Sequence, residues 1–191
     1  GERLSYDLFT SPLKSREGYK YMIVAIDEFS GYVWVYGMKK KSETYKIMRS
    51  LVGKIGKRMG REVDSISNVM GVVCLRSDNA KENISKRMKK MVSDLNMEIE
   101  TSIEYEQSMN GRAERLGGLV WQGGAKLRYG GNLPERDWFT SCEAWAHMRN
   151  RLPNRTRALH KHATSHEAYH AITLPPRTLI DHFRRVGALI H

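Results

Sequence analysis

Cysteine is scarce in this sequence, and this scarcity excludes some classes of protein. The only two, Cys74 and Cys142, are far apart and form no pattern typical of a metal or redox site. Cys74 lies within a short apolar run, where a small core side chain is expected. The composition therefore excludes a disulfide-rich scaffold and gives no reason to expect an oxidising compartment.

Long apolar runs are also missing, as is any segment with the pattern of a signal peptide. No run approaches the 18 residues that a membrane-spanning helix requires. We therefore expect a soluble intracellular protein with no membrane partner. The sequence begins at Gly1 rather than at methionine, from which we expect a piece excised from a longer polypeptide.

Acidic residues are few relative to basic ones. The chain has 32 Lys and Arg against 21 Asp and Glu, a formal net charge of +11. Such an excess favours a polyanionic partner, most often nucleic acid, although heparin-binding and membrane-surface proteins share it. At 191 residues, 40% of them hydrophobic, the chain is long enough for one globular domain with a small appendage.

Hydrophobic patterning predicts an α/β fold with five strands. Ser30-Gly31 predicts a two-residue hairpin turn between the second and third strands, and Ser42 is predicted to cap the first helix. The order β-β-β-α-β-α-β-α predicts a mixed five-stranded sheet flanked by helices, followed by a helical and loop-rich extension. Strands are predicted over residues 4–9, 19–29, 32–38, 69–75 and 98–103, and helices over 42–59, 85–95, from 110 onward, and 138–150.

Three carboxylates occupy suggestive positions in this pattern. Asp7 lies inside the first strand, Asp78 follows the fourth, and Glu114 lies in the first turn of a helix. If the first and fourth strands are neighbours, these hard oxygen ligands can converge on Mg²⁺ or Mn²⁺. The alternative is that the aspartates terminate or cap elements while Glu114 pairs with Arg112 or Arg115. Both interpretations are open from the pattern alone.

An ordered series of short segments resembles the catalytic core of copia-type LTR-retrotransposon integrases, members of the retroviral integrase and DDE transposase superfamily. The resemblance spans essentially the whole chain, in the order found in that family. Its segments are GERLSYDLFTSP, YMIVAIDEFSGYVWVYGMKKKSE, LRSDNAKEN, NGRAERL, LPERDWFTSCEAWAHMRNRLPNRT, ATSHEAYHA and FRRVGALIH.

The resemblance implies an RNase H-like fold whose DDE triad is Asp7, Asp78 and Glu114, holding Mg²⁺ or Mn²⁺, with two ions expected. The implied chemistry is removal of nucleotides from the 3′ ends of element DNA, followed by strand transfer into target DNA. In the two steps water and then the 3′-hydroxyl attack a phosphodiester. The implied DNA contacts are Asn110, Arg112, Arg115, Lys81 and Lys126.

The resemblance also carries expectations about organisation and setting. Residues 1–133 would form the catalytic core and 134–191 its C-terminal helical extension. The partners would be double-stranded DNA, as element ends and target, and further copies of the chain in a homodimer or larger multimer. The location would be the nucleus, with a stage in cytoplasmic virus-like particles.

The chain departs from the family in the helix that carries Glu114. The family usually has Asn-Arg three and four residues after the glutamate, where this chain has Gly117-Gly118. With Gly123 and Gly124, four glycines cost roughly 4 kcal/mol of helix propensity against alanine. Two alternatives follow: a catalytically impaired or domesticated module for DNA binding or assembly, or an RNase H-type nuclease that cuts without joining.

Other polar features each have a plainer interpretation. The histidines 160, 162, 166 and 170 could bind zinc, but exposed or DNA-facing histidines are favoured. Asp27 and Glu28 are predicted to be structural carboxylates of a turn, and Trp121 to be a packing residue. The basic runs 39–41 and 86–90 are either solvated or in contact with DNA phosphates.

Overall fold

The computed structural model describes residues 3–58, 74–77, 86–101, 111–153 and 164–170, and all structural statements below concern these ranges. Five strands and five helices lie within them, with short 3-10 turns before α1 and α4. The strands are β1 (Arg3–Thr10), β2 (Tyr21–Asp27), β3 (Val33–Met38), β4 (Cys74–Ser77) and β5 (Glu98–Thr101). The helices are α1 (Thr44–Arg58), α2 (Lys86–Asp94), α3 (Gly111–Gly130), α4 (Trp138–Arg151) and α5 (Ser165–His170).

The five strands form one mixed sheet in the order β3-β2-β1-β4-β5. The first three strands are antiparallel neighbours, whereas β4 pairs with β1 and with β5 in parallel. The predicted mixed five-stranded sheet is therefore confirmed, and the first and fourth strands are neighbours, which was the condition for the carboxylates to converge. This adjacency matters because it brings the end of β4 beside the middle of β1.

Each face of the sheet is covered by two helices, because side chains along a strand alternate between faces. On one face, Leu4 and Tyr6 of β1 join a core with buried residues of α1 and α2. On the opposite face, Val24 and its neighbours in β2 and β3 join a core with α3 and α4. The molecule is thus a three-layer arrangement in which α1 and α2 are separated from α3 and α4 by the sheet.

The turn between β2 and β3 is longer than predicted. Asp27 ends β2 and Val33 begins β3, so a two-residue turn at Ser30-Gly31 was wrong. The buried carboxylate of Asp27 accepts a hydrogen bond from the backbone nitrogen of Ser30 at 2.9 Å, and Gly31 adopts a φ of 62°. This side-chain bond stabilises a wider turn than the glycine alone indicates.

The predicted cap of the first helix was also wrong. Ser42 lies inside a 3-10 turn, Lys41–Glu43, whose N-cap residue is Lys40 and has no side-chain capping bond. The hydroxyl of Thr44 instead donates to the carbonyl of Lys41 at 2.6 Å, at the point where α1 begins. The helix predicted over 42–59 is confirmed as α1, and its inward face consists of Met48, Leu51, Val52 and Ile55, all buried.

The third and fourth helices approach each other closely through glycine. A Cβ on Gly124 would lie 2.8 Å from the backbone nitrogen of Cys142, and one on Gly123 would lie 2.0 Å from Nε1 of Trp145. These positions lack side chains because α4 occupies the space. The propensity cost of the two glycines is therefore offset by close helix packing, and α3 remains continuous from Gly111 to Gly130.

Two of the C-terminal segments that resemble the integrase family contain hydrogen bonds that stabilise the fold. The side-chain amide of Asn150 donates to the carbonyl of Val33 at 2.8 Å and accepts from its nitrogen at 2.9 Å, which attaches α4 to the edge strand. Thr164 and Glu167 form a capping box at the start of α5: the carboxylate accepts from the nitrogen of Thr164, and the threonine hydroxyl accepts from the nitrogen of Glu167.

Some sequence predictions lie outside the described ranges. The beginning of the fourth strand, the predicted helical position 110 and the segment 183–191 are among them. The division of the chain at 133/134 stays a prediction. Among the helices of the described ranges, none combines the length and apolar character needed to cross a membrane.

Candidate active site

Asp7 lies on the face of the sheet that α3 and α4 cover. It pairs across β1 and β2 with Val24, and two residues further along β1 is Phe9; both Val24 and Phe9 pack in the core beneath α3. The side chain of Asp7 is half-buried, and its Oδ1 accepts a hydrogen bond from the backbone nitrogen of Leu8 at 2.7 Å. A carboxylate in the middle of a strand, on a covered face, is unusual on grounds of propensity.

The parallel register of β1 and β4 bears directly on the second predicted carboxylate. Ser77, the last described residue of β4, pairs with Tyr6, the residue before Asp7. Asp78 follows Ser77 in the sequence and lies outside the described residues. The meeting of Asp7 with Asp78 stays a prediction, although the register is the one that it requires.

Glu114 lies in the first turn of α3, with its side chain exposed. One turn further on, Gly117 packs directly on β1, since a Cβ at this position would lie 1.9 Å from Cζ of Phe9. Residues three apart in a helix are neighbours on its surface, and residues two apart in a strand share a face. The contact between Gly117 and Phe9 therefore links the helical turn that carries Glu114 to the strand that carries Asp7.

The proposed pairing of Glu114 with a neighbouring arginine finds no support in the described part of α3. The ion pairs among the described residues join Arg3, Arg16 and Arg76 to carboxylates, and none joins Glu114 to Arg115. The side chain of Arg112 lies outside the described residues. Near the N-terminus of a helix, a carboxylate such as Glu114 is also favoured by the helix dipole, which needs no other partner.

Of the five predicted DNA contacts, two have side chains within the described residues. Arg115 and Lys126 are exposed on α3, as a phosphate contact requires. Asn110 and Lys81 lie outside the described residues.

No three histidine, cysteine, aspartate or glutamate residues of the described ranges cluster so as to hold a metal ion. The described part of the predicted triad is Asp7 and Glu114.

A buried arginine near this site was not anticipated from the sequence. Arg76 of β4 is 8% exposed and lies two residues before Asp78. Its guanidinium donates to Glu28 Oε1 at 3.0 Å and, through Nε, to Glu100 Oε2 at 2.9 Å. The hydrogen bond from Arg76 lowers the pKa of Glu100. The arginine thus connects β4 to β5 and to the end of β2.

The network around Arg76 extends to the first strand. The hydroxyl of Ser5 donates to Glu28, and Arg3 forms a 3.4 Å ion pair with Glu100. Ser5, Arg76 and Glu100 are aligned across three strands, one row before Asp7 on the same face. Two features of the sequence could have indicated this network. One is an arginine in an otherwise apolar strand, and the other is Glu28 immediately after another strand.

Several plainer interpretations are confirmed. Asp27 and Glu28 are structural, the first supporting the β2–β3 turn and the second pairing with Arg76. Trp121 packs against Trp138, with ring centroids 5.4 Å apart.

The described histidines of the C-terminal cluster pack with aromatic rings. The ring centroids of His166 and His170 are 4.2 Å apart, and both rings lie close to Tyr32. Burial and the nearby cation of Arg151 lower the pKa of His166 to about 4. His160 and His162 lie outside the described residues, so zinc binding by the four histidines stays untested.

The sheet order, the parallel pairing of β1 with β4 and the flanking helices define an RNase H-like α/β fold. A family model described as "Integrase core domain" matches residues 1–107, which is more than half of the chain. The chain therefore belongs to the integrase core domain family. Membership indicates, in general terms, a polynucleotidyl transferase, and integrase core domains generally use divalent metal ions.

Curated relatives include Pol polyproteins of plant transposons. The chain is 24% identical over 142 residues to the retrovirus-related Pol polyprotein from transposon TNT 1-94 of Nicotiana tabacum, a match that covers 74% of the chain and 10% of that protein. It is 28% identical over 156 residues to the one from transposon RE2 of Arabidopsis thaliana, which covers 80% of the chain and 10% of that protein. The chain thus spans about a tenth of the length of the curated relatives it matches. The relatives support the resemblance to copia-type retrotransposon integrases.

A solved structure supports the fold. It is the cryoEM structure of the simian T-cell lymphotropic virus intasome in complex with PP2A regulatory subunit B56 gamma. One of its chains matches with a TM-score of 0.63 at 21% identity, covering 92% of this chain and 56% of that one.

Proposed function

We propose that the chain is the catalytic core of a retrotransposon integrase, which processes the 3′ ends of element DNA and transfers the strands into target DNA. The observation that carries the proposal is the placement of Asp7 on the covered face of β1, in parallel register with β4, whose next residue in the sequence is Asp78. In this proposal Asp7, Asp78 and Glu114 are the catalytic carboxylates.

The chemistry of the donors fits a divalent metal. Asp7 and Glu114 offer hard oxygen ligands, and no described cation pairs with Glu114. Together with Asp78 they would hold Mg²⁺ or Mn²⁺, in the two-ion form that the family resemblance implies. When bound, such ions supply the charge that activates an oxygen nucleophile and stabilises the leaving oxygen of the phosphodiester.

The protein groups around these carboxylates would position the DNA. Arg115 and Lys126 are exposed on the helix that carries Glu114, where they can contact phosphates without approaching the core. Arg112, Asn110 and Lys81 belong to the same proposal on the basis of the family resemblance. So do the assembly into a multimer on DNA and the nuclear location with a stage in virus-like particles.

Oligonucleotide assays with Mg²⁺ or Mn²⁺ test this function. The wild type should join strands in a strand-transfer or disintegration assay, and Asp78→Asn should lose the joined product. Glu114→Gln should lose it too, whereas Glu135→Gln should not, since Glu135 is also an exposed glutamate but lies in the short 3-10 turn before α4. Equal joining by the wild type and Asp78→Asn would overturn the assignment.

The same assays separate the alternatives. Cut products without joined products would indicate an RNase H-type nuclease. DNA binding with neither product would indicate a non-catalytic module for binding or assembly.

A further inference from the structure

All the charged side chains on the outer surface of α1 are cations. The helix contains no aspartate or glutamate, and its apolar side packs on the sheet. Five basic side chains are exposed on its other side, namely Lys46, Arg49, Lys54, Lys57 and Arg58. The excess of basic over acidic residues is thus far larger on α1 than in the whole chain, where basic residues outnumber acidic ones by 32 to 21.

The neighbouring helix α2 continues this charge. Lys86, Arg87, Lys89 and Lys90 are exposed, and Asp94 is the one acidic residue of the helix. Its buried side shares one core with α1, so the two helices cover the same face of the sheet. We call the exposed side of both helices the α1–α2 surface.

The positive charge of this surface is not neutralised within the described part of the chain. The ion pairs found there join other arginines to carboxylates, and none includes a basic residue of α1 or α2. Arg49 donates to the hydroxyl of Tyr45 at 2.8 Å, and the guanidinium of Arg58 lies 4.6 Å from the ring centroid of Tyr169. These contacts orient the arginines but supply no opposite charge.

The spacing of the cations suits a polyanion of regular repeat. Lys46, Lys54 and Arg58 are separated by multiples of four residues, so they follow one inclined row that winds about a third of a turn around the helix. At 1.5 Å per residue the row is about 18 Å long. This corresponds to roughly five base pairs of B-form DNA.

We propose that the α1–α2 surface binds the phosphates of a nucleic-acid duplex, on the side of the sheet opposite to Asp7 and Glu114. The inference goes beyond the proposed reaction, because it adds a binding surface that cannot itself reach the carboxylates. A chain that joins two DNA molecules would thereby hold one duplex away from its catalytic face. Nucleic acid is favoured over an acidic protein by the extent of the array of cations along α1 and by the net charge of +11.

Two pairs of charge reversals test this surface. Lys46→Glu with Lys90→Glu changes the α1–α2 surface, while Lys14→Glu with Arg136→Glu changes exposed residues elsewhere and lowers the net charge by the same amount. Binding of a short fluorescein-labelled DNA duplex of arbitrary sequence is followed by anisotropy, with a metal chelator present, between about 50 and 200 mM salt. Circular dichroism confirms that both variants fold.

The two variants should differ in salt dependence. Loss of two phosphate contacts should reduce the slope of log K against log salt by about 2 and weaken binding about tenfold or more, in the α1–α2 variant alone. Equal slopes and affinities for the two variants would overturn the proposal and leave the surface to solvent or to an acidic protein. Because binding is measured without metal, the result does not depend on whether the proposed reaction takes place.

Discussion

Gly117 of α3 lies so close to the ring of Phe9 in β1 that a Cβ on the glycine would come within 1.9 Å of Cζ. The adjacent Gly118 has nothing within 4 Å of such an atom. Two consecutive glycines of one helix thus have different reasons to be there. The first permits the contact between the helix that carries Glu114 and the strand that carries Asp7, and the second leaves open space where the family usually has a long polar side chain.

Alanine substitutions should separate these two glycines. We expect Gly117→Ala to lower the free energy of unfolding by about 1 to 3 kcal/mol, because Phe9 must move. Gly118→Ala should raise it by up to about 1 kcal/mol, because alanine has the higher helix propensity and meets no neighbour. Urea denaturation measures both. Stabilisation by Gly117→Ala as large as that by Gly118→Ala would refute the close contact.

Arg76 should contribute more to stability than an arginine whose ion pair is exposed. Replacing it by methionine removes the guanidinium that Glu28 and Glu100 share, although Glu100 keeps its longer ion pair with Arg3, and we expect a loss of about 3 kcal/mol in the free energy of unfolding. The control is Arg3→Met, whose side chain is 51% exposed and pairs at 3.4 Å with the partly exposed Glu100. The control should lose about 1 kcal/mol. Equal losses in the two variants would show that the buried network adds nothing.

The partners of Arg76 should be energetically coupled to it. In a double-mutant cycle, Glu28→Gln should cost less in the Arg76→Met background than in the wild type, since the two side chains contact each other at 3.0 Å. Additive losses would mean that the contact does not stabilise the fold.

The lowered pKa of His166 predicts a specific dependence of stability on pH. The folded protein keeps the ring neutral down to a pKa of about 4, because of its burial and the nearby Arg151, whereas an unfolded histidine titrates near 6.5. The stabilisation is therefore fully present above about pH 6.5 and is lost as the pH falls from there toward 4. Because the ring is only partly buried, the loss should be less than about 1.4 kcal/mol per pH unit.

His166→Phe keeps an aromatic ring in this position and removes the titrating group. Over the same pH range its free energy of unfolding should fall less steeply than that of the wild type. Parallel pH profiles for the two proteins would contradict the assignment of this effect to His166.

The sequence predicted the fold to the extent that local patterns determine it. Hydrophobic patterning predicted a strand over 19–29 and a helix over 42–59, which the structure contains as β2 and α1. The family resemblance also led to the correct fold. Local patterns could not give the length of the β2–β3 turn, because this depends on a hydrogen bond between Asp27 and Ser30 that competes with the shorter hairpin.

The site was predictable only in part for a similar reason. The position of Asp7 within a strand identified it as unusual, and Glu114 was identified by its place in the first turn of a helix and given its role by the family resemblance. The roles of Gly117 and Arg76 depend on contacts between residues far apart in the sequence, with Phe9 and with Glu28, and no local pattern specifies those. Whether Asp78 joins Asp7 remains a prediction that binding measurements can decide.

The central claim, that Asp7 and Asp78 share a divalent metal ion, is tested most directly by titration with Mn²⁺, followed by the paramagnetic resonance of the free ion. The wild type should show a saturable site. Asp7→Asn should weaken that site at least about tenfold, since the amide loses the charge but keeps an oxygen to accept the hydrogen bond from Leu8. Asp78→Asn should weaken it equally, and Glu135→Gln should not. A site of unchanged affinity in Asp7→Asn would contradict the account.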